Sequence, residues 1–123
     1  MTTTDLLTTG QTQCISSVAM TADSTQAIAM HGARHARIKL TSAAPGSRAG
    51  VIYIQESQDG ATADNNCTLT NKTSGVVATS ITVTTSTLLD AVVDIETDAP
   101  FLIIFFDYTS GSGTLNGYVT IKE

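Results

Sequence analysis

Tryptophan is absent from this chain of 123 residues, and aromatic residues make up only 5% of it. The core must therefore come mostly from Val, Ile, Leu and Ala, of which the β-branched pair in particular suits closely packed sheets. A chain of this length buries roughly two thirds of its unfolded surface, which is enough for one modest core but not for two. We therefore expect a single domain.

Basic residues are also scarce, with six Lys and Arg against eleven Asp and Glu and a net charge of -5. A general nucleic-acid binder needs clustered basic residues to displace counterions from phosphates, so we expect no nucleic-acid partner. No apolar run reaches the about 18 residues of a membrane helix, and "MTTTDLLTTGQTQ" has neither the basic nor the apolar region of a secretory signal. We expect a soluble protein with no membrane partner.

Cysteine occurs only at Cys14 and Cys67, without the C-x-x-C spacing of a zinc site. The absence of a secretory signal favours two reduced, buried thiols over a disulfide. There is no G-x-S-x-G motif, no glycine-rich phosphate loop before a helix, and no histidine in a recognised spacing from either cysteine. We expect neither an enzyme nor a bound cofactor.

From Cys14 onward, short runs rich in β-branched residues alternate with Gly, Asn, Asp and Ser every eight to twelve residues or so, the spacing of a sandwich or barrel. This pattern predicts an all-β protein, with residues 13–123 forming a single antiparallel β-sandwich, jelly-roll-like, of about eight strands. Residues 1–12 are Thr-rich, with Leu6 and Leu7 their only apolar residues after the first methionine. We expect an extended N-terminal arm or a first edge strand there, ordered by a partner.

The stretch "HARIKL" alternates most regularly, because Ala36, Ile38 and Leu40 fall on one face of a strand and the basic residues between them on the other. It predicts a half-buried strand with a basic outer stripe. Upstream, "TQAIAMH" predicts a strand or, alternatively, a short helix, because Ala and Met favour helices. Downstream, Asp59-Gly60 is a strong signal for a tight turn, and the polar stretch from Ala61 to Gly75 predicts a long loop with at most a short strand around Thr68 to Thr70.

Charge is unevenly distributed along the chain. Arg34, Arg37, Lys39 and Arg48 are clustered without an acid among them, whereas the region 90–107 has acids and no base. Head-to-tail contact between copies of the chain would pair these two regions. The basic stripe could equally meet an acidic surface of another partner, or be a solvated strand face.

Two residue patterns are compatible with metal binding. Asp94, Glu96 and Asp98 alternate and offer oxygen ligands for calcium, but no glycine-rich Asp-x-Asp-x-Asp loop accompanies them. A solvated strand edge is the alternative. His31 and His35 have the i, i+4 spacing of a metal pair on a helix, but the strand pattern places them beside basic residues that repel a cation. We expect no metal site.

The run "FLIIFF" at residues 101–106 is apolar on both faces of any strand. Such a strand needs cover on both sides, so it should be central in its sheet. One layer can fill the sandwich core, and the other must meet another part of this chain or a second copy. The run therefore predicts an oligomer with a subunit interface near these residues. The two layers are Phe101, Ile103 and Phe105 against Leu102, Ile104 and Phe106.

The segments "VIYIQESQDG" and "YTSGSGTLNGYVTIKE" together resemble a pattern found in small β-sandwich virion proteins of tailed bacteriophages. The pattern is a strand ending in a Ser-x-Asp-Gly turn, here Ser57 to Gly60, then an aromatic strand and a Thr-Ser-Gly-x-Gly-Thr-Leu hairpin, here Thr109 to Leu115. Lys122 after the last strand completes it. The resemblance covers about the C-terminal two thirds of the chain and departs after Gly60, where "ATADNN" replaces the usual x-x-Trp.

The resemblance implies a capsid decoration or cement protein, a homo-oligomer, with a trimer favoured, that binds the major capsid protein on the outside of the assembled head. It would be made in the host cytoplasm and reside on the virion surface. The alternative is a tail or fibre module that binds a host glycan or another tail protein. Sugar sites present exposed aromatic residues, whereas most aromatic residues here are expected inside, which favours the structural role. We expect the capsid or subunit interface among Leu6, Leu7, His35, Arg37, Lys39, Asp94, Glu96, Asp98, Phe101, Ile103 and Phe105.

Overall fold

The computed structural model describes residues 3–5, 11–43, 47–85 and 87–122, with backbone only for 3–5 and 122. Every regular element in these ranges is a β-strand, and none of them contains a helix that could cross a bilayer. The strands are β1 (Thr3–Asp5), β2 (Thr12–Ala19), β3 (Ser24–Ala29), β4 (His35–Ser42), β5 (Ala49–Ser57), β6 (Asn65–Asn66), β7 (Leu69–Asn71), β8 (Val77–Ala78), β9 (Ile81–Val83), β10 (Leu89–Glu96), β11 (Phe101–Ser110) and β12 (Thr114–Lys122).

The strands form two sheets that pack face to face. Sheet A has the order β1-β3-β11-β5-β6, with β9 also paired to β5, and sheet B has the order β2-β12-β4-β10-β7-β8. Along the chain, β2 to β5 and then β9 to β12 pass alternately between the sheets, which is the connectivity of a jelly roll. These eight strands confirm the predicted all-β, jelly-roll-like sandwich.

One pairing is not antiparallel. β1 runs parallel to β3. The strand that separates them in the sequence, β2, lies in sheet B, so the chain crosses to that sheet and back before β3 pairs with β1. Part of the predicted arm is therefore an edge strand of its own domain. Leu6 and Leu7 lie outside the described residues.

The core fills the space between the sheets. On β4, the alternation predicted from "HARIKL" is confirmed, since Ala36, Ile38 and Leu40 are buried. They lie opposite Ile95, Val93 and Ala91 of β10, which are buried as well. β3 is a strand, so the helical alternative for "TQAIAMH" is wrong; Ala27 and Ile28 are fully buried in the sheet.

β11 is the central strand of sheet A, paired along most of its length with β3 on one side and β5 on the other. Leu102, Ile104 and Phe106 point into the core and are almost fully buried. The sequence-based prediction of a central strand is confirmed. The run is apolar on both faces, which is why it occupies the centre of the sheet.

The predicted Asp59-Gly60 turn is also present. The Asp59 carboxylate accepts hydrogen bonds of 2.8 Å from the backbone N–H groups of Ala61 and Thr62, and Gly60 adopts a φ of 77°. These backbone donors lower the pKa of the Asp59 carboxyl below its ordinary value. The turn is therefore held by its own polar groups, together with the burial of Ser57 and Gly60.

The β2 edge of sheet B is irregular. β2 pairs with β12 through two shifts of register, and Ser17 at one of them has a φ of 50°. The Asn116 side-chain oxygen fills this position by accepting a hydrogen bond of 2.9 Å from the Ser17 backbone N–H. The edge is therefore bulged along its middle.

Candidate functional site

The outer face of sheet B brings together the basic and acidic residues singled out from the sequence. β4 and β10 are neighbours in full register, so Arg37 lies opposite Asp94 and His35 lies opposite Glu96. Lys39 continues the basic row one pleat further along β4. We call this surface, from Arg34 to Lys39 along β4 and from Asp94 to Asp98 beside it, the charged face.

The charges of this face pair within the chain. Arg37 Nε donates to Asp94 Oδ1 at 2.8 Å, and Lys72 Nζ lies 3.4 Å from the other oxygen of the same carboxylate. His35 Nε2 lies 3.8 Å from Glu96 Oε1. Arg34 and Asp98 form a fourth pair, with Nε and Oδ1 3.5 Å apart. The predicted head-to-tail contact requires the basic and acidic regions to lie on separate surfaces. That requirement is not met, because the register of β4 and β10 places the two regions side by side on one surface.

Asp94 has the most perturbed environment of this face. The hydrogen bond from Arg37 lowers the pKa of its carboxyl below the ordinary value; burial opposes this shift, and the contact with Lys72 adds to it. The same contact raises the pKa of Arg37. Both groups are therefore charged at neutral pH.

A groove of about 470 Å³ runs along the acidic side of the face. The groove opens where β7 separates from β10, because β7 pairs with β10 only at Val93 and Asp94. The residues just before β7 bond to sheet A instead, with the Cys67 N–H donating to the Ile54 carbonyl. Thr68 and Thr70 line the groove beside the charged side chains. Hydroxyl groups and paired charges suit a polar ligand or a protein surface.

No group of three or more His, Cys, Asp or Glu residues in the described ranges is placed to hold a metal ion. Asp94, Glu96 and Asp98 each face a different base across the strands. His31 lies in a turn with a φ of 50°, whereas His35 begins β4. The arrangement of the acids is that of a solvated, ion-paired strand edge.

Arg48 does not belong to the charged face. Its side chain is fully buried, and its three nitrogens donate to the hydroxyl and carbonyl of Ser42 and to the carbonyls of Thr84 and Thr87. Arg48 was grouped with the other bases because it lies near them in the sequence, but proximity in sequence does not determine whether a side chain faces solvent or the interior.

A second surface, the outer face of sheet A, is aromatic. Tyr53 of β5 stacks against Phe105 of β11 with ring centroids 6.2 Å apart, and Phe101 covers Gly60, where a Cβ would lie 3.1 Å from its ring. All three rings are half-buried. Between them, Ile103 is only 2% exposed, so the chain already covers it. We call Tyr53, Phe101 and Phe105 the aromatic face.

The prediction that most aromatic residues lie inside is therefore wrong. Phe106 alone is fully buried, and Tyr108 packs partly against the core. Tyr53, Phe101 and Phe105 are half-buried on the outer face of sheet A, because strand alternation places the odd-numbered positions of β5 and β11 away from the core. Tyr118 is half-buried on the outer face of sheet B, between the buried Gly117 and Val119 of β12.

The two cysteines are free and buried, as the sequence predicted. Burial raises the pKa of Cys14 to about 11 and that of Cys67 to about 12. Neither thiol is therefore a thiolate near neutral pH, which is the form that acts as a nucleophile.

The structure thus divides the predicted interface residues between two surfaces. His35, Arg37, Lys39, Asp94, Glu96 and Asp98 share the charged face, and Phe101 and Phe105 share the aromatic face. Sequence reasoning missed Lys72 and Tyr53. The alternation of Tyr53 with Ile52 and Ile54 was a usable signal for an outward aromatic ring, whereas Lys72 lies in a stretch predicted to be mainly loop.

No family model and no curated protein matches the chain. Among solved structures, the SPBc2 prophage-derived protein YomS aligns with a TM-score of 0.67 over 95% of this chain and 97% of its own, at 14% identity. The Aeromonas hydrophila periplasmic lysozyme inhibitor PliG aligns at 0.44 with 10% identity, covering 98% and 96%. A CBM4 structure aligns at 0.47 with 14% identity, covering 81% and 61%. The chain shares its whole fold with a phage-derived protein.

Proposed function

We propose that this chain is a structural protein of a tailed-phage virion, and specifically a capsid decoration protein that binds the outside of the assembled head. The observation that carries the proposal is the end-to-end similarity of fold to the prophage-derived protein YomS, which covers nearly all of both chains. The Ser57 to Gly60 turn and the Thr109 to Leu115 hairpin, which carry the sequence resemblance, are consistent with it.

The absence of an enzymatic role is part of this proposal. Both cysteine thiols are buried with raised pKa values, and the charged groups of the charged face are paired with one another. Such a surface suits recognition of another protein. We propose the major capsid protein and further copies of this chain, with a trimer favoured, as its partners, and neither nucleic acid nor membrane.

The proposed mechanism is mass action. A protein that binds the assembled lattice, but not dispersed subunits, stabilises the shell by an amount that grows with its concentration relative to its dissociation constant. An oligomer adds multivalency, so that weak contacts of each copy give long residence. The aromatic face is the proposed contact, because aromatic residues, Tyr and Phe among them, are enriched in the cores of protein interfaces and Tyr is a frequent hot spot.

A tail or fibre module that binds a host glycan is the second candidate. The observation that favours it is the outward position of Tyr53, Phe101 and Phe105, since sugar sites present aromatic rings at the surface. The nearby Gln55 amide, hydrogen-bonded to Asn66 at 3.1 Å, would supply polar contacts.

Binding to purified particles tests both candidates. The protein is mixed with undecorated heads and, separately, with host cells, and the bound fraction is measured over a concentration series. Saturable binding to heads, with heads that withstand more heating, supports decoration. Binding to cells that free sugar abolishes supports the second candidate, and binding to neither contradicts both.

Variants of the aromatic face sharpen the test. Tyr53→Ser and Phe105→Ser should each weaken head binding by about tenfold or more, because hot-spot truncations cost at least about 2 kcal/mol. Tyr118→Ser is the matched control, since Tyr118 is half-buried on the outer face of the opposite sheet. Equal loss for all three variants would assign the effect to stability rather than to the face.

A further inference from the structure

The charged face is complementary to itself. Its bases, His35, Arg37 and Lys39, form one row along β4, and its acids, Asp94 and Glu96, form a parallel row along β10. Adjacent strands are about 4.8 Å apart, so a row of basic residues and a row of acidic residues run side by side over the same surface.

A half-turn brings each row onto its opposite. The axis of this rotation lies just above the face, midway between β4 and β10 and parallel to them. When a second copy is rotated by 180° about it, the β4 row of that copy covers the β10 row of the first. A rotation about this axis does not change a residue's position along the strands. Each Arg37 therefore meets the Asp94 of the other copy, and each His35 meets the other copy's Glu96. Such a contact is isologous and closes at two copies.

We propose that the charged face is a two-fold contact surface at which one copy of this chain docks onto a second copy. Both rows belong to one face and are used together, so the contact pairs two copies and does not extend into a head-to-tail chain. A two-fold contact cannot build the trimer favoured under the proposed function, so it is a separate interface, and its test uses the protein alone in solution.

The charges are accessible enough to make this contact. Side-chain exposure is 44% for Arg37 and 37% for Asp94, and it is 52% for His35 and 80% for Glu96. Each intrachain pair therefore keeps a solvated side, which a second copy can cover. The intrachain pairs then join into larger clusters, in which the carboxylate of each Asp94 gains the guanidinium of the other copy's Arg37 and Glu96 gains the imidazole of the other copy's His35.

The strength of the contact follows from its chemistry. Exposed ion pairs contribute little individually, so association depends on several clusters acting together and is weak. It is also sensitive to salt, because the screening length falls from about 30 Å at 0.01 M to about 3 Å at 1 M. The expected signature is a complex that forms at low ionic strength and dissociates in concentrated salt.

Charge reversal with complementation tests the proposal. Sedimentation velocity at low ionic strength is run on the wild type, on Arg37→Asp, on Asp94→Arg and on an equimolar mixture of the two variants. Each variant alone places like charges opposite each other and should lose the association. The mixture should restore it, because the carboxylate introduced in one chain then faces the guanidinium introduced in the other, and the two unchanged partners also meet.

Several outcomes overturn the proposal. They are a wild type whose mass does not change with salt, single variants that associate like the wild type, and a mixture that associates no better than its components. Association that survives both reversals belongs to another surface. Asp107→Arg is the matched control, because Asp107 is exposed on β11 of the opposite sheet, and it should leave the association unchanged.

A second pair guards against misfolding. Arg34 and Asp98 lie just beyond the two strands, and their side chains are 71% and 87% exposed. Arg34→Asp and Asp98→Arg therefore leave the strand ladder intact, which circular dichroism and thermal melting verify. These variants should weaken the association singly and recover part of it as a mixture, and unchanged association in both would again contradict the proposal.

Discussion

The buried guanidinium of Arg48 donates a hydrogen bond to the backbone carbonyl of Thr87, 39 residues further along the chain. Further bonds reach Thr84 and both oxygens of Ser42, so one side chain joins the end of β4 to the loop before β10. Its stem also packs on Gly113, where a Cβ would lie 2.9 Å from Arg48 Cδ. The buried guanidinium therefore acts as a multiple hydrogen-bond donor to neutral oxygens of two separate chain segments.

Replacing Arg48 should be among the most damaging single changes in this chain. Arg48→Met keeps the apolar stem but leaves the carbonyls of Ser42, Thr84 and Thr87 without this donor, and each unsatisfied group costs about 1–3 kcal/mol. We expect the free energy of unfolding to fall by about 3 kcal/mol in urea denaturation. Arg34→Met, at an exposed arginine, is the control and should change it little.

Two glycines with positive φ should respond differently to a methyl group. Gly75 has a φ of 74° and open space around it, so Gly75→Ala should cost only the backbone strain, about 1–2 kcal/mol. Gly111 has a φ of 80°, but its Cβ would collide with the Ser47 carbonyl. Gly111→Ala should therefore cost at least about 2 kcal/mol more in the same denaturation assay. Equal losses of stability would contradict the prediction, because they would show that the Gly111 turn relaxes to accommodate the methyl group.

The buried cysteines predict loss of stability at alkaline pH. Burial raises the pKa of Cys14 from 9.0 to about 11 and that of Cys67 from 9.0 to about 12. Above pH 9 the unfolded chain therefore releases protons that the folded chain retains, so the free energy of unfolding falls as pH rises. The limiting slope is about 1.4 kcal/mol per pH unit for each thiol.

Denaturation between pH 8 and pH 11 measures this slope, and Cys14→Ala is the control that should flatten it by one thiol's share. Thiol labelling gives an independent readout. Both cysteines should react slowly with iodoacetamide in the folded protein and fast in urea. Fast labelling of the folded protein at pH 8 would contradict the burial of both groups.

The ion pair of the charged face predicts a shifted titration. Because Arg37 donates to Asp94, the Asp94 carboxyl should titrate below 3.8 in the folded protein. Stability from this pair is present above the unfolded value and is lost as pH falls through the lowered pKa. Carbon-detected NMR should show the Asp94 titration moving upward in Arg37→Gln, whereas the titration of Asp59, which bonds to its own turn, should not move.

The sequence predicted the fold better than the surfaces. Alternation in "HARIKL" and the two-sided run at 101–106 determine strands by themselves, because burial on one face or both leaves a period in the residues. The pairing of Arg37 with Asp94 depends on which strands become neighbours, and 57 residues separate the two. No local pattern contains that information, so the sequence alone does not reveal that the two charged regions share one surface.

Residues 61–75 illustrate the same limit. They were predicted as a loop with at most one short strand, but β6 and β7 lie within them and belong to different sheets. β6 pairs with β5 at only two positions and β7 with β10 at two. Contacts this short are selected by the edges already in place, and they leave no period in the sequence.

The bulged edge strand β2 affects how copies of the folded chain meet when the protein is concentrated. A straight, open edge offers a row of N–H and C=O groups on which a newly made chain can pair, and crowding favours that reaction. The shifts around Ser17, with the Asn116 amide in the gap, break this row. Copies of the folded protein are therefore kept from growing into fibres along that edge, even at high concentration.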